Sequence, residues 1–234
     1  MERREFIRFC AAAAGATPVA AIVEAATDAT PHFYSRAKLL DARGEPLRAS
    51  KIPAHRNLIF HYPYDTTPCF LLNLGRPVSA ARRLKTADQR GYEWKGGVGA
   101  GRSLVAYSAI CAHQLAYPTK DISFISYRTE RGAANRHGNV IHCCAEHSQY
   151  DPAEGARVVA GPAPQPLAAI VLEHNPGSDE LYAVGTLGGE MFEKFFAKYE
   201  IRLQLEHGGA TRKQVGETSV VTELEAYCRQ QVKC

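Results

Sequence analysis

Two short segments, each with one cysteine and one histidine, constrain this chain more than any other feature of its sequence. Cys111 and His113 are separated by one residue, and Cys144 and His147 further along are separated by two. Two thiolates and two imidazoles in this C-x-H … C-x-x-H pattern suit a tetrahedral zinc ion. They also suit a two-iron, two-sulfide cluster with both cysteines on one iron and both histidines on the other. The spacing therefore predicts a metal centre.

A third segment favours the iron–sulfur cluster over zinc. Residues 161–164 read Gly-Pro-Ala-Pro and follow the second cysteine–histidine pair closely. Proline fixes its own φ near −65°, so Pro162 and Pro164 predict a rigid lid beside the metal centre.

Length and charge indicate one globular domain with attachments. The 234 residues are 45% hydrophobic, which is enough to bury a substantial core. The formal net charge is +4, but the lysines and arginines are scattered and not massed into a run. Nucleic acid is therefore not an expected partner.

The first 30 residues resemble an export signal. Arg3 and Arg4 precede an apolar pair, and a weakly apolar, alanine-rich stretch follows over residues 9–23. This pattern predicts export by the twin-arginine route, which carries proteins already folded around a cofactor. The stretch is shorter than the roughly 20 residues of a comfortable membrane span. Residues 1–30 are expected to form a signal that is cleaved or retained as a membrane-anchoring helix, and the protein is expected to be periplasmic.

Short strand patterns dominate residues 31–190, separated by glycine and proline. The strongest, over residues 103–110 and 139–142, lead directly into the two cysteine–histidine segments. A turn at residues 175–179 predicts a hairpin. We therefore expect an all-β domain of antiparallel strands over 31–190. Helix-like patterns over residues 191–199 and 220–228 predict a helical C-terminal extension over 191–234, outside the β core.

These motifs resemble those of Rieske iron–sulfur proteins, most closely the small subunit of arsenite oxidase. The likeness covers roughly residues 55–190 and includes both cysteine–histidine segments. Residues 161–164 are more similar to the proline loop of the Rieske subunits of cytochrome bc complexes. The resemblance implies an antiparallel β-sandwich with a cluster-binding subdomain and a [2Fe–2S] cluster. It implies the ligands Cys111, His113, Cys144 and His147.

The second segment also permits another alignment. Aligning it from Ser148 and Tyr150 downstream would place Cys143 and Glu146 at the ligand positions. The C-x-x-H spacing selects Cys144 and His147, because that choice supplies a histidine donor. The ligands expected in this segment are therefore Cys144 and His147.

The resemblance also assigns roles around the cluster. Ser148 and Tyr150 keep the spacing of a serine that donates to a bridging sulfide and a tyrosine that donates to a cysteine sulfur. Such donors raise the reduction potential of a cluster. The alternative is that they are a turn serine and a core tyrosine.

Many related proteins tie the two loops together with a disulfide. The matching positions here are Ala116 and Glu146, so that bridge is absent, and we expect the lid at Pro162 and Pro164 to supply part of the stiffness. The chain has seven cysteines. The sequence leaves open whether Cys228 and Cys234 pair with each other, pair with a partner or stay free.

Three functions remain open on the sequence alone. The first is an exported electron-transfer subunit of a respiratory oxidoreductase, with a catalytic or cytochrome subunit as partner and a periplasmic cytochrome c as acceptor. The second is the quinol-oxidising Rieske subunit of a cytochrome bc complex. The third is a zinc-stabilised structural module. No independent catalytic site is expected within the chain.

Overall fold

The computed structural model describes residues 28–78, 80–132 and 136–234. The twin-arginine segment and most of the expected signal lie outside these residues, so their prediction stays a prediction. Within the described part of the chain, every helix is too short or too polar to span a bilayer.

The described residues form sixteen strands and two α-helices. The strands are β1 (His32–Leu40), β2 (Leu58–His61), β3 (Pro68–Asn73), β4 (Arg82–Lys85), β5 (Gly91–Trp94), β6 (Leu104–Ser108), β7 (Ile122–Ser123), β8 (Ile125–Arg128), β9 (Val140–Cys143), β10 (Ser148–Asp151), β11 (Arg157–Ala160), β12 (Ala169–Asn175), β13 (Glu180–Leu187), β14 (Thr218–Val220), β15 (Thr222–Glu223) and β16 (Gln230–Gln231). The helices are α1 (Phe192–His207) and α2 (Leu224–Tyr227).

The larger sheet has eight strands in the order β14-β1-β13-β12-β6-β3-β2-β15. Its inner strands pair antiparallel, as the sequence predicts, and β12 and β13 form the expected hairpin. Asn175 starts the hairpin turn by accepting a hydrogen bond from the Gly177 N–H through its side chain. A second sheet, in the order β11-β10-β9-β8, is also antiparallel.

The central strands of the larger sheet are buried on both faces. In β3, Phe70 and Leu72 lie in a core between the two sheets, whereas Leu71 and Cys69 lie in a core on the opposite face. Successive side chains of a strand point to opposite faces, so a strand covered on both sides reads as a continuous apolar run. Cys69 is fully buried with a free thiol, as its apolar surroundings in the sequence predict.

A third, smaller core lies beneath α1. The helix contributes Phe195, Phe196 and Leu203, which pack with Ile110 and Leu115. Ile110 and Leu115 flank the first cysteine–histidine segment. The predicted helix after residue 190 is therefore present, and its apolar face supports the loop that carries Cys111.

The end of the chain differs from the expected second helix. Only Leu224–Tyr227 are helical within residues 220–228, and the preceding residues form β14 and β15. These two strands pair with β1 and β2, the opposite edges of the larger sheet. Because a single residue, Val221, separates β14 from β15, the two edges must meet there. The tail thus covers the edges of β1 and β2 and draws the two ends of the sheet together into a barrel-like form.

We predict that the tail contributes to stability as a core element. Leu224 is fully buried, whereas Leu205 on α1 is 83% exposed. Leu224→Ala should lower the free energy of unfolding by about 2–5 kcal/mol, because it leaves a cavity in the core. Leu205→Ala, the matched control, should change it by no more than about 0.5 kcal/mol. Denaturant unfolding measures both values, and equal effects would contradict an integral tail.

Candidate metal centre

The first loop leaves β6 and folds back tightly after Ile110. The Cys111 N–H donates to the Ala116 carbonyl, and the Leu115 N–H donates to the Cys111 carbonyl, both at 2.9 Å. Leu115 closes the turn with a φ of 61°, in the left-handed region. Cys111 is fully buried, whereas His113 is partly exposed at the end of the loop.

The second loop connects β9 to β10. Cys143 and Ser148 are paired across the two strands, so residues 144–147 form the connection. The Cys144 N–H donates to the Phe124 carbonyl at 2.6 Å, and His147 adopts a φ of 58°. Glu146 and His147 are exposed at the tip.

The two loops bury Cys111 and Cys143 in the same core, close enough for each thiol to shift the pKa of the other. Each sulfur also accepts backbone N–H groups from the second and third residues after it. For Cys111 these residues are His113 and Gln114, and for Cys143 they are Ala145 and Glu146. The two loops therefore surround their sulfurs with the same pattern of donors.

The interaction between the two thiols shifts their pKa values in opposite directions. The hydrogen bond from Cys143 is the main cause that lowers the pKa of Cys111 to about 6. The same bond, followed by burial, raises the pKa of Cys143. Thiolates are the form of cysteine that binds metals, and Cys111 is the member of the pair held closest to that form.

Tyr150 lies directly beside Cys111. Its hydroxyl oxygen is 3.2 Å from the Cys111 sulfur and accepts the Ala112 N–H at 3.1 Å. Burial, followed by the charge of Cys111, raises the pKa of Tyr150. The hydroxyl therefore keeps its proton and donates it in a hydrogen bond to the sulfur. This is the position that the resemblance implies for Tyr150.

Two further side chains at the site carry buried polar atoms with no hydrogen-bond partner among the described residues. They are Nδ1 of His113 and Oγ of Ser148. An unpaired buried polar atom is costly, so each points to a group that binds there. Two adjacent thiols, a histidine nitrogen and a free hydroxyl are the donors that a [2Fe–2S] cluster uses. The residues present fit that group.

The structure does not bring Cys144 to Cys111. Cys144 forms a disulfide with Cys234, so its sulfur is not a thiolate in this state. The reason is strand alternation: Cys143 faces the core, and its neighbour Cys144 faces away from it. The geometry follows the alternative alignment, which starts from Ser148 and Tyr150.

The alignment from Ser148 and Tyr150 also moves the expected histidine position by one residue, from His147 to Glu146. The His147 ring lies 5.8 Å from the His142 ring, and Glu146 stands three residues after Cys143, where a C-x-x-H segment has its histidine. His142 is fully buried. It lies with Cys144 and Cys234 in a group whose ligand atoms are within 4.8 Å of one another, but two of the three are joined as a disulfide.

The proline segment lies against the second loop. Gly161 has a φ of 85°, and a Cβ there would come within 2.5 Å of the His147 carbonyl oxygen and the Ser148 Cα. Pro162 and Pro164 are exposed, while Ala163 packs on the core between the sheets. Gly161 therefore packs closely against the second loop, and the lid role of Pro162 and Pro164 stays a prediction.

The sequence analysis gave Cys143 only as the ligand of the alternative alignment and did not predict that Cys234 pairs with Cys144. The spacing between Cys143 and Ser148 could have indicated that Cys143 faces the site, because a hairpin that pairs the two residues places both side chains on its inner face. No local pattern marks Cys234 as the partner of Cys144, because 90 residues separate them.

No protein-family model matches the chain. The iodate reductase subunit IdrB of Pseudomonas sp. (strain SCT) is 28% identical over 189 residues, which cover 80% of each protein. The solved soluble domain of the Rieske protein II (soxF) of Sulfolobus acidocaldarius is similar with a TM-score of 0.47 and 24% identity. That similarity covers 67% of this chain and 82% of the solved one.

The paired loops, the buried thiol pair with its tyrosine donor and the sequence similarity to the iodate reductase subunit support the resemblance to Rieske iron–sulfur proteins that the sequence motifs indicate.

Proposed function

We propose that this chain is the electron-transfer subunit of a larger oxidoreductase. The observation that carries the proposal is the buried contact between Cys111 and Cys143, next to the unpaired Nδ1 of His113 and Oγ of Ser148. A [2Fe–2S] cluster, when bound, supplies a one-electron couple. The surrounding residues hold it, set its potential and leave one side open to a partner.

The proposed ligands follow the geometry of the loops. Cys111 and Cys143 bind one iron, and His113 and one side chain of the Glu146–His147 pair bind the other. The spacing from Cys143 favours Glu146, whereas the preference of Rieske centres for imidazole favours His147. Both side chains are exposed at the tip, with His113 partly exposed beside them. The outer end of the site is therefore accessible to a redox partner.

Hydrogen-bond donors around the two sulfurs stabilise the negative charge of the thiolates. Four backbone N–H groups and the Tyr150 hydroxyl point at the two sulfurs. Such donors stabilise the more negative, reduced state and raise the reduction potential. Ser148, buried with its hydroxyl free, would add a donor to a bridging sulfide.

The partner is proposed from the similarity to the iodate reductase subunit. We propose that a catalytic subunit exchanges single electrons with this chain and that a periplasmic cytochrome c is the other partner. The twin-arginine pattern at Arg3 and Arg4 supports export to the periplasm. Retention of that segment would anchor the protein to the inner membrane.

The first prediction for this function concerns the ligands. Purified protein should contain two irons and give, after reduction, the rhombic low-g paramagnetic signal of a mixed cysteine–histidine cluster. Cys143→Ser should abolish the signal, because it removes one of the two thiolates. Cys69→Ser is the control, since Cys69 is a buried free thiol in the other core and should leave the signal intact. Zinc in place of iron, with no signal in the wild-type protein, would support the structural module instead.

Pulsed paramagnetic resonance of the same sample identifies the fourth ligand. Two directly coordinated imidazole nitrogens would assign His147, and His147→Gln should then remove one coupling. A single coordinated nitrogen would assign Glu146, and Glu146→Gln should then change the signal while His147→Gln leaves it unaltered. More than two coordinated nitrogens would contradict both assignments.

A second prediction concerns Tyr150. Tyr150→Phe removes the hydroxyl that donates to Cys111 and changes the shape of the side chain little. Losing one hydrogen bond of ordinary strength should lower the midpoint potential by about 20–65 mV for a one-electron couple. Tyr107→Phe is the matched control, because the Tyr107 hydroxyl is also buried but donates to the Pro152 carbonyl. Redox titration that gave equal shifts for both variants would contradict a specific role for Tyr150.

A third prediction concerns export and assembly. The double substitution Arg3→Lys and Arg4→Lys should leave the protein in the cytoplasm, because the twin-arginine route requires the arginine pair. Cell fractionation and immunoblotting measure the distribution. Wild-type protein recovered from the periplasm or the inner membrane should co-purify with a larger catalytic subunit. Co-purification with a cytochrome b, and no such subunit, would point to the quinol-oxidising complex.

A further inference from the structure

We infer that residues 228–234, here named the strap, hold the second cluster loop in position through the Cys144–Cys234 disulfide. Cys144 and Cys234 are thus positioning residues for the cluster. The inference rests on the proposed function, because it needs a cluster in the site.

The strap follows the segment that connects the two cysteine loops. The N–H groups of Arg229, Gln230 and Val232 donate to the carbonyls of Lys120, Asp121 and Ser123 at 2.8–3.0 Å. β16 therefore pairs parallel with β7. These bonds guide the strap along the edge of the connecting segment toward the second loop.

Arg128, at the end of β8, fixes the last residues of the strap. Its guanidinium donates to the carbonyl of Val232 and to that of Cys234, the latter at 3.1 Å. The same group lies 2.9 Å from the Cys144 sulfur. The planar guanidinium of Arg128 thus contacts both residues of the disulfide, Cys144 through its sulfur and Cys234 through its carbonyl.

The disulfide acts next to the thiol pair. Cys144 directly follows Cys143, and the two side chains point to opposite faces of the loop. Cys143 meets Cys111 in the core, while Cys144 is bonded to the strap. A covalent restraint at Cys144 therefore limits the movement of a proposed ligand one residue away.

The usual cross-link between the two loops is missing here. In the register set by Cys143, Ala116 and Ala145 occupy its positions and carry no sulfur. Within the part of the chain that the structure describes, Cys144–Cys234 is the one disulfide, and it closes a sequence separation of 90 residues. The chain thus restrains its second loop from the C-terminal side and not from the first loop.

The bond can be opened by ordinary thiol–disulfide exchange. A dithiol reductant attacks one sulfur, and a mixed disulfide forms and resolves. The products are the Cys144 and Cys234 thiols and the cyclic disulfide of the reductant, so two electrons and two protons pass to the protein. Opening breaks the covalent link between the strap and the second loop without altering Cys111 or Cys143.

The test compares four full-length proteins loaded with their cluster: wild type, Cys144→Ser, Cys234→Ser and the double variant. The measured quantity is the rate at which the visible absorption bleaches in anaerobic chelator. Each single variant should bleach several-fold faster than wild type, and the double variant no faster than either, because both remove the same bond. A dithiol should accelerate wild type to the same rate and leave the variants unchanged. Lys233→Ser, an exposed position in the strap, is the matched control and should behave as wild type.

Each contrary result has a separate meaning. Loss of the cluster in Cys144→Ser with retention in Cys234→Ser would make Cys144 a ligand and overturn the inference. Unchanged bleaching in Cys234→Ser, or a peptide map without the Cys144–Cys234 cross-link, would also overturn it, with the proposed function intact. A wild-type protein that binds no cluster would overturn the proposed function and this role of the strap with it.

Discussion

The contact between the buried thiols of Cys111 and Cys143 is the constraint on which the rest of this structure depends. Cys111 lies in the loop three residues after β6 of the larger sheet, and Cys143 ends β9 of the second sheet. Their sulfurs meet only if both sheets, both loops and the core between them are in place. Backbone N–H groups surround both sulfurs, and Tyr150 adds a hydroxyl at Cys111. The fold therefore delivers a preformed pair of sulfur donors.

The C-terminal part of the chain serves this same site from three directions. Helix α1 packs Phe195 and Leu203 beneath the first loop. β14 and β15 join the two edges of the larger sheet. The strap reaches the second loop and bonds to it at Cys144. What looks in the sequence like an appendage is thus the element that closes the barrel and restrains the site.

Charge and exposure divide the site into an inner and an outer part. The sulfurs and the Tyr150 and Ser148 side chains are buried, where low dielectric strengthens each hydrogen bond to a charged group. Glu146 and His147 are exposed, and His113 is partly so. An electron-transfer protein needs this division, because the inner part sets the potential and the outer part must approach a partner. Gly161 packs against the backbone of His147 and Ser148 on the second loop.

The sequence by itself determined the strands, the two loops and the kind of centre that they build. Strands can be predicted from a few residues, because apolar runs reflect which side chains of a strand are buried. The metal centre can be predicted from the spacing of cysteine and histidine, because these side chains supply the donor atoms. The tertiary structure decided which cysteine faces Cys111, since a shift of one residue in a strand turns a side chain to the opposite face. It also decided the pairing of Cys144 with Cys234 and of β14 and β15 with distant edges. These contacts join residues far apart in the chain, and no local pattern records them.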